Sequence, residues 1–326
     1  MTARLPVGVV GVGALGAHHA RHLAGLPGVT LVGVYDIDPA RAEEIAGRTG
    51  TRAFRSLDEL LARAEAVTVA VPTPVHAEVG IRALEAGRAV LMEKPLAATL
   101  DEADALVRAA GKAGAILQVG HIERFNRAVR AAMPYLAQPL YMESMRLAPF
   151  QPRGTDVAVI LDLMIHDLDL MLHLVGGGEA ADVRGSGVAV LSPHLDMANA
   201  RVEFANGAVA NVTASRMARE RIRKLRIFQP TGYLSLDLAL GAGEFMRLRP
   251  DWQPRPDVSL EDIVERIPLQ APEADALRLE MENFAAAVGG DTRSGVSGEE
   301  GRAALALALR VAEAVSRTPA PVVRRA

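Results

Sequence analysis

The sequence predicts an α/β protein in two parts: an N-terminal domain on a parallel sheet over residues 1–121, and a C-terminal α+β domain on an open, mostly antiparallel sheet over residues 122–326. Three observations carry this. In the first 120 residues, short apolar runs alternate with helical patterns, as in strands buried on both faces of a parallel sheet. From about Leu140 the pattern changes to longer segments with period-two alternation, the mark of strands with one covered face. With 326 residues, half of them hydrophobic and 23% charged, the chain is long enough for two cores.

The elements follow in order. Val7–Val10 and Leu31–Tyr35 are the first two strands, separated by a helix over Ala14–Ala24. A second helix, Pro39–Ala46, opens with Asp38 as its N-cap and proline at its first position. Apolar runs at Ala66–Val71, Ala89–Met92 and Ile116–Val119 give three more strands, with helices at Val75–Glu85 and Leu100–Ala110 between them. In the second part, strands are expected at Leu140–Leu147, Ala198–Phe204, Ala208–Ser215, Arg221–Gln229 and Tyr233–Leu238. Asn206-Gly207 joins two of these as a hairpin turn. A long helix is expected over Asp156–Leu174. The Pro- and charge-rich stretch Asp251–Pro272 reads as a surface excursion, and helices near Glu273–Val288 and Glu299–Ser316 close the chain.

Bulk composition excludes several functions. A net charge of −3 gives no broad basic surface for nucleic acid. With no cysteine there is no disulfide, thiolate metal site or cysteine nucleophile, which suits a reducing compartment. No uncharged apolar stretch is long enough to span a bilayer. The N-terminus lacks the apolar core of a signal peptide, so a cytoplasmic location is expected.

The first strand runs into Gly11-Val12-Gly13-Ala14-Leu15-Gly16, and the second strand ends at Asp36, 20 residues past Gly16. A lone GxGxxG says little. Placed between a strand and a helix, with an acid at this distance, it is the fingerprint of a Rossmann dinucleotide site. The glycines allow close approach of a pyrophosphate, and the helix N-terminus presents N–H groups to it. Asp36 suits ribose hydroxyls and repels a 2′-phosphate, which favours NAD over NADP, although Arg41 stands nearby as a cation that a 2′-phosphate would use. FAD shares the fingerprint, but the second part of the chain shows no further pattern for it.

Chemistry is expected at two further places. Only three of the 36 Lys and Arg residues are lysines, and one, Lys94, ends an apolar strand in Glu93-Lys94-Pro95. A lysine is a compact point charge that can be tuned for proton traffic, unlike an arginine fork. Snorkelling at a strand end is the bland reading. In the expected helix, Asp162 and His166 stand four apart on one face. A carboxylate beside an imidazole suits a base that takes a hydroxyl proton while hydride leaves the same carbon. A structural Asp–His hydrogen bond is the competing reading. A metal stripe of Asp162, His166, Asp169 and His173 is another, but NAD chemistry needs no metal. The polar segment from Gly120 to Asn126 is either ligand-facing or a solvated linker.

Together these pieces resemble the glucose–fructose oxidoreductase, inositol dehydrogenase and MocA family along essentially the whole chain. The resemblance rests on Gly11–Gly16 with Asp36, Val71-Pro72-Thr73-Pro74 with His76, Glu93-Lys94-Pro95, Gly120-His121 with Arg124-Phe125-Asn126, and Asp162 with His166. It implies NAD as cofactor, contacted by Gly11, Gly13, Ala14, Leu15, Gly16, Asp36, Arg41, Pro72, Thr73, His76, Glu93 and Lys94. It implies Lys94, Asp162 and His166 as catalytic residues, His166 being the proton acceptor and the Asp162–His166 pair lying across a cleft from Lys94. The Pro95 peptide is often cis, and subunits often pair through the second sheet as dimers or tetramers. Segments Arg146–Phe150, Arg153–Asp156 and Leu161–Leu170 are similar to the branch that oxidises the 3-hydroxyl of UDP-N-acetylglucosamine, whose product feeds an aminotransferase in lipid A synthesis. His121, Arg124, Asn126, Arg146 and Arg153 are then candidate substrate contacts, since a diphosphate favours forked, permanently charged donors; pairing of the arginines with neighbouring carboxylates is the competing reading. An inositol or free-hexose dehydrogenase, an enzyme that recycles tightly held NAD, and a catalytically silent NAD-binding sensor are the alternatives.

Overall fold

The computed structural model describes residues 4–151, 157–250, 252–253, 256–291 and 295–317. The chain forms two compact units, one of Met1–Ile122 with Ala274–Leu305 and one of Glu123–Glu273 with Ala306–Ala326. The sequence reading assigns everything past residue 121 to the second part; the segment Ala274–Leu305 clusters with the first.

In the first unit, strands β1 (Leu5–Val10), β2 (Val29–Tyr35), β3 (Ala66–Val69), β4 (Ala89–Glu93) and β5 (Leu117–Gly120) form a sheet of order β2-β1-β3-β4-β5. All its pairings are parallel. Helices α1 (Ala14–Ala24), α2 (Pro39–Thr49), α3 (Leu57–Leu61), α4 (His76–Glu85) and α5 (Leu100–Ala113) connect the strands. Asp38 caps α2 by accepting from the N–H groups of Ala40 and Arg41, as its sequence position predicts. Thr99 and Glu102 close a capping box on α5. Strand order reverses beside β1, which puts the loop after β1 at the switch point where such sheets bind ligands.

The second unit holds α6 (Arg127–Ala132), β6 (Tyr141–Leu147), a π-helical turn at Ile160–Met164 and α7 (Ile165–Leu174). Strands β7 (Ala180–Val188), β8 (Met197–Phe204), β9 (Val209–Ser215), β10 (Ile222–Gln229), β11 (Gly232–Asp237) and β12 (Ala242–Leu248) follow, then α8 (Leu260–Ile263) and β13 (Val264–Leu269). The eight-stranded sheet has the order β13-β12-β11-β10-β6-β9-β8-β7. Only β6 and β9 pair in parallel; the rest are antiparallel. The hairpin at Asn206-Gly207 is present, with Gly207 at φ 85°.

Two expectations are corrected here. The stretch read as a surface excursion contains β13, an edge strand paired with β12. Its charged Glu265 and Arg266 and its Pro268 are what an edge tolerates and an interior strand does not, and they hid it. The helix expected from Asp156 begins instead as a π turn at Ile160, and residues 152–156 lie outside the described residues.

The last two helices are α9 (Ala276–Val288) and α10 (Gly298–Arg317). Leu277, Met281 and Phe284 of α9 are buried in one core with Val7 and Val9 of β1 and Ala20 and Leu23 of α1. Among the described residues, no helix is long and apolar enough to cross a membrane.

Candidate active site

The glycine loop is held as a phosphate-binding loop should be. Gly11 has φ 81°, and a Cβ there would lie 2.8 Å from the Ala70 carbonyl. At Gly16 a Cβ would fall 1.8 Å from the Gly11 carbonyl oxygen, so neither position admits a side chain. A Cβ on Gly13, by contrast, would meet nothing within 4 Å, leaving open space beside the backbone. Gly13 caps α1 without a side-chain hydrogen bond, and Ala14 and Leu15 in the first turn are exposed. The helix therefore presents its first N–H groups and its positive end to that space. These features fit a dinucleotide's pyrophosphate. Asp36 accepts from Val12 N at 2.7 Å and from Asp38 N at 3.0 Å, which fixes its carboxylate beside the loop. Each carboxylate oxygen keeps a lone pair for a ribose hydroxyl.

The end of β4 is braced from beneath. Glu93, 7% exposed, takes His19 Nε2 at 3.0 Å on one oxygen and Lys94 N at 3.2 Å on the other. Burial alone would raise the Glu93 carboxyl; His19 and Lys94 hold it below the usual range. A Cβ on Gly120 would sit 3.0 Å from the same carboxylate, which explains a glycine at that point of β5. The Lys94–Pro95 peptide is cis. Lys94 itself is half-buried. His19 was not singled out from sequence, although its position three residues past Gly16, on the helix leaving the loop, was available as a signal.

His76 is 1% exposed, and its Nδ1 and Nε2 lie 2.9 Å from the carbonyls of Pro95 and Val71. The ring thus sits between the loop after β3 and the peptide after Lys94, and in its neutral form its one N–H donates to one of the two carbonyls. Burial pushes this imidazole below its ordinary pKa, against the pull of the two carbonyls and Glu93. His76 supports the site by bracing these two segments. Pro72 is exposed, and Thr73 is half-buried at the head of a 3-10 turn.

In the second unit, Asp162 lies in the π turn and His166 in the first turn of α7, both half-buried. Such turns recur at functional sites because they re-aim the side chains around them. No hydrophobic period announces one. Two ion-pair sets then fix α7. Asp167, 2% exposed, accepts from Ser144 Oγ at 2.7 Å and pairs with Arg146, which also reaches Glu123 at 2.8 Å. Arg124 grips Asp169 with Nε at 2.8 Å and Nη2 at 2.6 Å, and its Nη1 lies 3.3 Å from His173 Nδ1. The start of the π turn is held too, since Val159 N donates to Leu195 O at 2.9 Å. Asp196 gathers the loop before it, accepting from the N–H groups of Val190, Leu191 and Ser192.

These contacts revise the substrate contacts named from sequence. Arg146 is 2% exposed and its guanidinium is spent on Asp167 and Glu123, so it is not a diphosphate donor. Arg124 is engaged by Asp169 in the same manner. Asn126 caps α6 through Ala128 N and donates to Glu123 and to Leu238 O, which makes it structural. His121 is 1% exposed. Arg153 lies outside the described residues. The putting of Asp169 and His173 on Arg124 also takes them from the metal stripe.

A glycine loop at a switch point, with an acid held beside it, defines a dinucleotide-binding protein. The first unit matches the family described as "Oxidoreductase family, NAD-binding Rossmann fold" over residues 5–121, and residues 109–235 match the GFO/IDH/MocA C-terminal domain. The UDP-N-acetylglucosamine 3-dehydrogenase of Acidithiobacillus ferrooxidans is 42% identical over 94% of this chain and 96% of its own. The solved structure of that enzyme, GnnA, superposes with a TM-score of 0.89 at 39% identity, covering 96% of this chain and 98% of its own. The scyllo-inositol 2-dehydrogenase (NAD(+)) of Bacillus subtilis is 31% identical over 64% of this chain and 66% of its own. The chain belongs to the glucose–fructose oxidoreductase, inositol dehydrogenase and MocA family, and it is an NAD-binding oxidoreductase acting on CH–OH groups.

Proposed function

We propose that this enzyme oxidises the 3-hydroxyl of UDP-N-acetylglucosamine to a 3-keto sugar in the cytoplasm. The observation that carries this is the 42% identity to a UDP-N-acetylglucosamine 3-dehydrogenase along nearly the whole of both chains, while the scyllo-inositol enzyme is 31% identical over about two thirds and an inositol 2-dehydrogenase of Rhizobium meliloti, matched over 94% of this chain, is 28% identical. When bound, NAD accepts the hydride released from the alcohol carbon. The proton is the protein's work. His166 takes it from the hydroxyl, Asp162 orients the ring and supports its cationic form, and Lys94 stabilises the developing alkoxide by charge and hydrogen bonding. Asp36 and the backbone of Gly11–Gly16 hold the dinucleotide.

The test is a substrate titration followed by NADH absorbance. UDP-N-acetylglucosamine is expected to support reduction of NAD at concentrations where myo-inositol and free hexoses give none. Turnover with myo-inositol and none with the nucleotide sugar would replace this reading with the inositol one.

We also propose pairing of subunits through the uncovered face of the second sheet. Phe228 is 40% exposed there and stacks on Tyr233 at 4.6 Å, with Tyr141 5.7 Å away and Met145 also 40% exposed. An apolar cluster of this kind marks an interaction surface. Phe228→Glu is expected to lower the sedimenting mass of the assembly; an unchanged mass would argue for another interface.

A further inference from the structure

Arg41 and Asp36 hold the same residue of the glycine loop. Arg41 Nε donates to the Val12 carbonyl at 2.9 Å, and Asp36 accepts the Val12 N–H at 2.7 Å. The cation that would suit a 2′-phosphate is thus anchored within one residue of the carboxylate that suits a 2′-hydroxyl. A phosphate monoester carries close to two negative charges and seeks forked donors. Arg41 alone should therefore draw NADP toward the loop, and the presence of Asp36 explains only part of the preference for NAD.

The remainder lies one turn along α2. Arg41 Nη1 donates to Glu44 Oε2 at 2.6 Å, and Arg48 Nη1 reaches the other oxygen of Glu44 at 3.3 Å. Residues 41, 44 and 48 share a helix face. Of the two outer nitrogens of the Arg41 guanidinium, which a phosphate would grip as a fork, Nη1 is already engaged by an anion. A 2′-phosphate would have to displace Glu44 and then sit beside its charge.

We propose that Glu44 is a specificity-determining residue for the cofactor: it neutralises Arg41 and so forms a second barrier to NADP behind Asp36. This rests on the NAD reading of the loop and adds to it a residue with no direct part in holding NAD. It also gives Arg41 a structural task, bracing Val12, that can be kept while its affinity for phosphate is suppressed.

The test compares binding of 2′,5′-ADP with that of 5′-ADP by calorimetry at low ionic strength, so that only the 2′-phosphate is weighed and no turnover is needed. Four proteins are used: Asp36→Asn, Asp36→Asn/Glu44→Ala, the latter with Arg41→Ala added, and the parent. Glu44 is half exposed, so its replacement leaves the core intact. In the Asp36→Asn background, Glu44→Ala is expected to improve the preference for 2′,5′-ADP by about threefold or more, the upper scale of an exposed charge pair. Adding Arg41→Ala should remove that gain. A gain below about threefold, or one that survives loss of Arg41, overturns the proposal. If the parent binds neither 5′-ADP nor NAD, the NAD reading itself fails, which is a different result.

Discussion

Replacing Lys94 with alanine is expected to lower kcat by about 10²- to 10³-fold while NAD still binds, the loss typical of removing one donor from a developing oxyanion. His166→Ala should cost about 10²- to 10⁴-fold, the scale of a general base. The expectation for Lys94 stands on how the protein spends buried groups behind it. A carboxylate, Glu93, is held ionised in the interior by His19, and one of its oxygens secures the Lys94 N–H. His76 Nδ1 lies 2.9 Å from the carbonyl of the next residue, Pro95. A merely snorkelling lysine would need none of this. The pyrophosphate and ribose are assigned to Gly11–Gly16 and Asp36, so most of the affinity for NAD should survive. Kinetics by NADH absorbance and NAD titration by fluorescence would separate the two effects. Normal turnover in either variant would sink the assignment of these residues.

The second large effect is on stability. Asp167→Ala is expected to destabilise the protein by about 3–5 kcal/mol, because it leaves the buried Arg146 charge short of its main partner. Asp167 and Arg146 are each 2% exposed, so water cannot substitute. Glu123 remains on Arg146 and places the loss toward the lower end. Ser144 Oγ also loses its acceptor. Replacing both members, Arg146→Met with Asp167→Leu, should restore only part of the stability: well-packed apolar groups often match a buried pair, but Glu123, 4% exposed, then keeps, among the described residues, only Arg223 at 3.3 Å and Asn126 at 2.9 Å. Urea midpoints of the single and double variants provide the measurement. A single variant as stable as the parent would show the pair to be solvated. A stable double variant with lowered kcat would show that the pair serves the placement of α7, and of His166 next to it, beyond stability.

How much of this was legible varies with the range of the interaction. The dinucleotide loop was readable because its determinants are local: six consecutive residues, a strand before, a helix after, and an acid at a fixed distance. The five strands of the first unit were readable because burial on both faces leaves an unbroken apolar run. The fates of Arg124 and Arg146 were not readable. Their partners, Asp169 and Asp167, lie 45 and 21 residues further along the chain, and an arginine carries no mark of the carboxylate it will meet. The π turn escaped because its residues are ordinary helix formers and its extra residue is set by packing. Strand β13 escaped because an edge strand is written in the charges and proline of a loop. His19 is a different case, a local signal that was present and passed over.

The return of Ala274–Leu305 to the first unit bears on how the protein is made. Leu277, Met281 and Phe284 belong to the core that also holds β1 and α1. A ribosome delivers β1 early and Phe284 late, with more than a hundred residues of the second unit between them. The nucleotide-binding unit therefore stays short of its full core until the chain is nearly finished, and exchange of this unit between relatives calls for two grafted segments in place of one cut near residue 122.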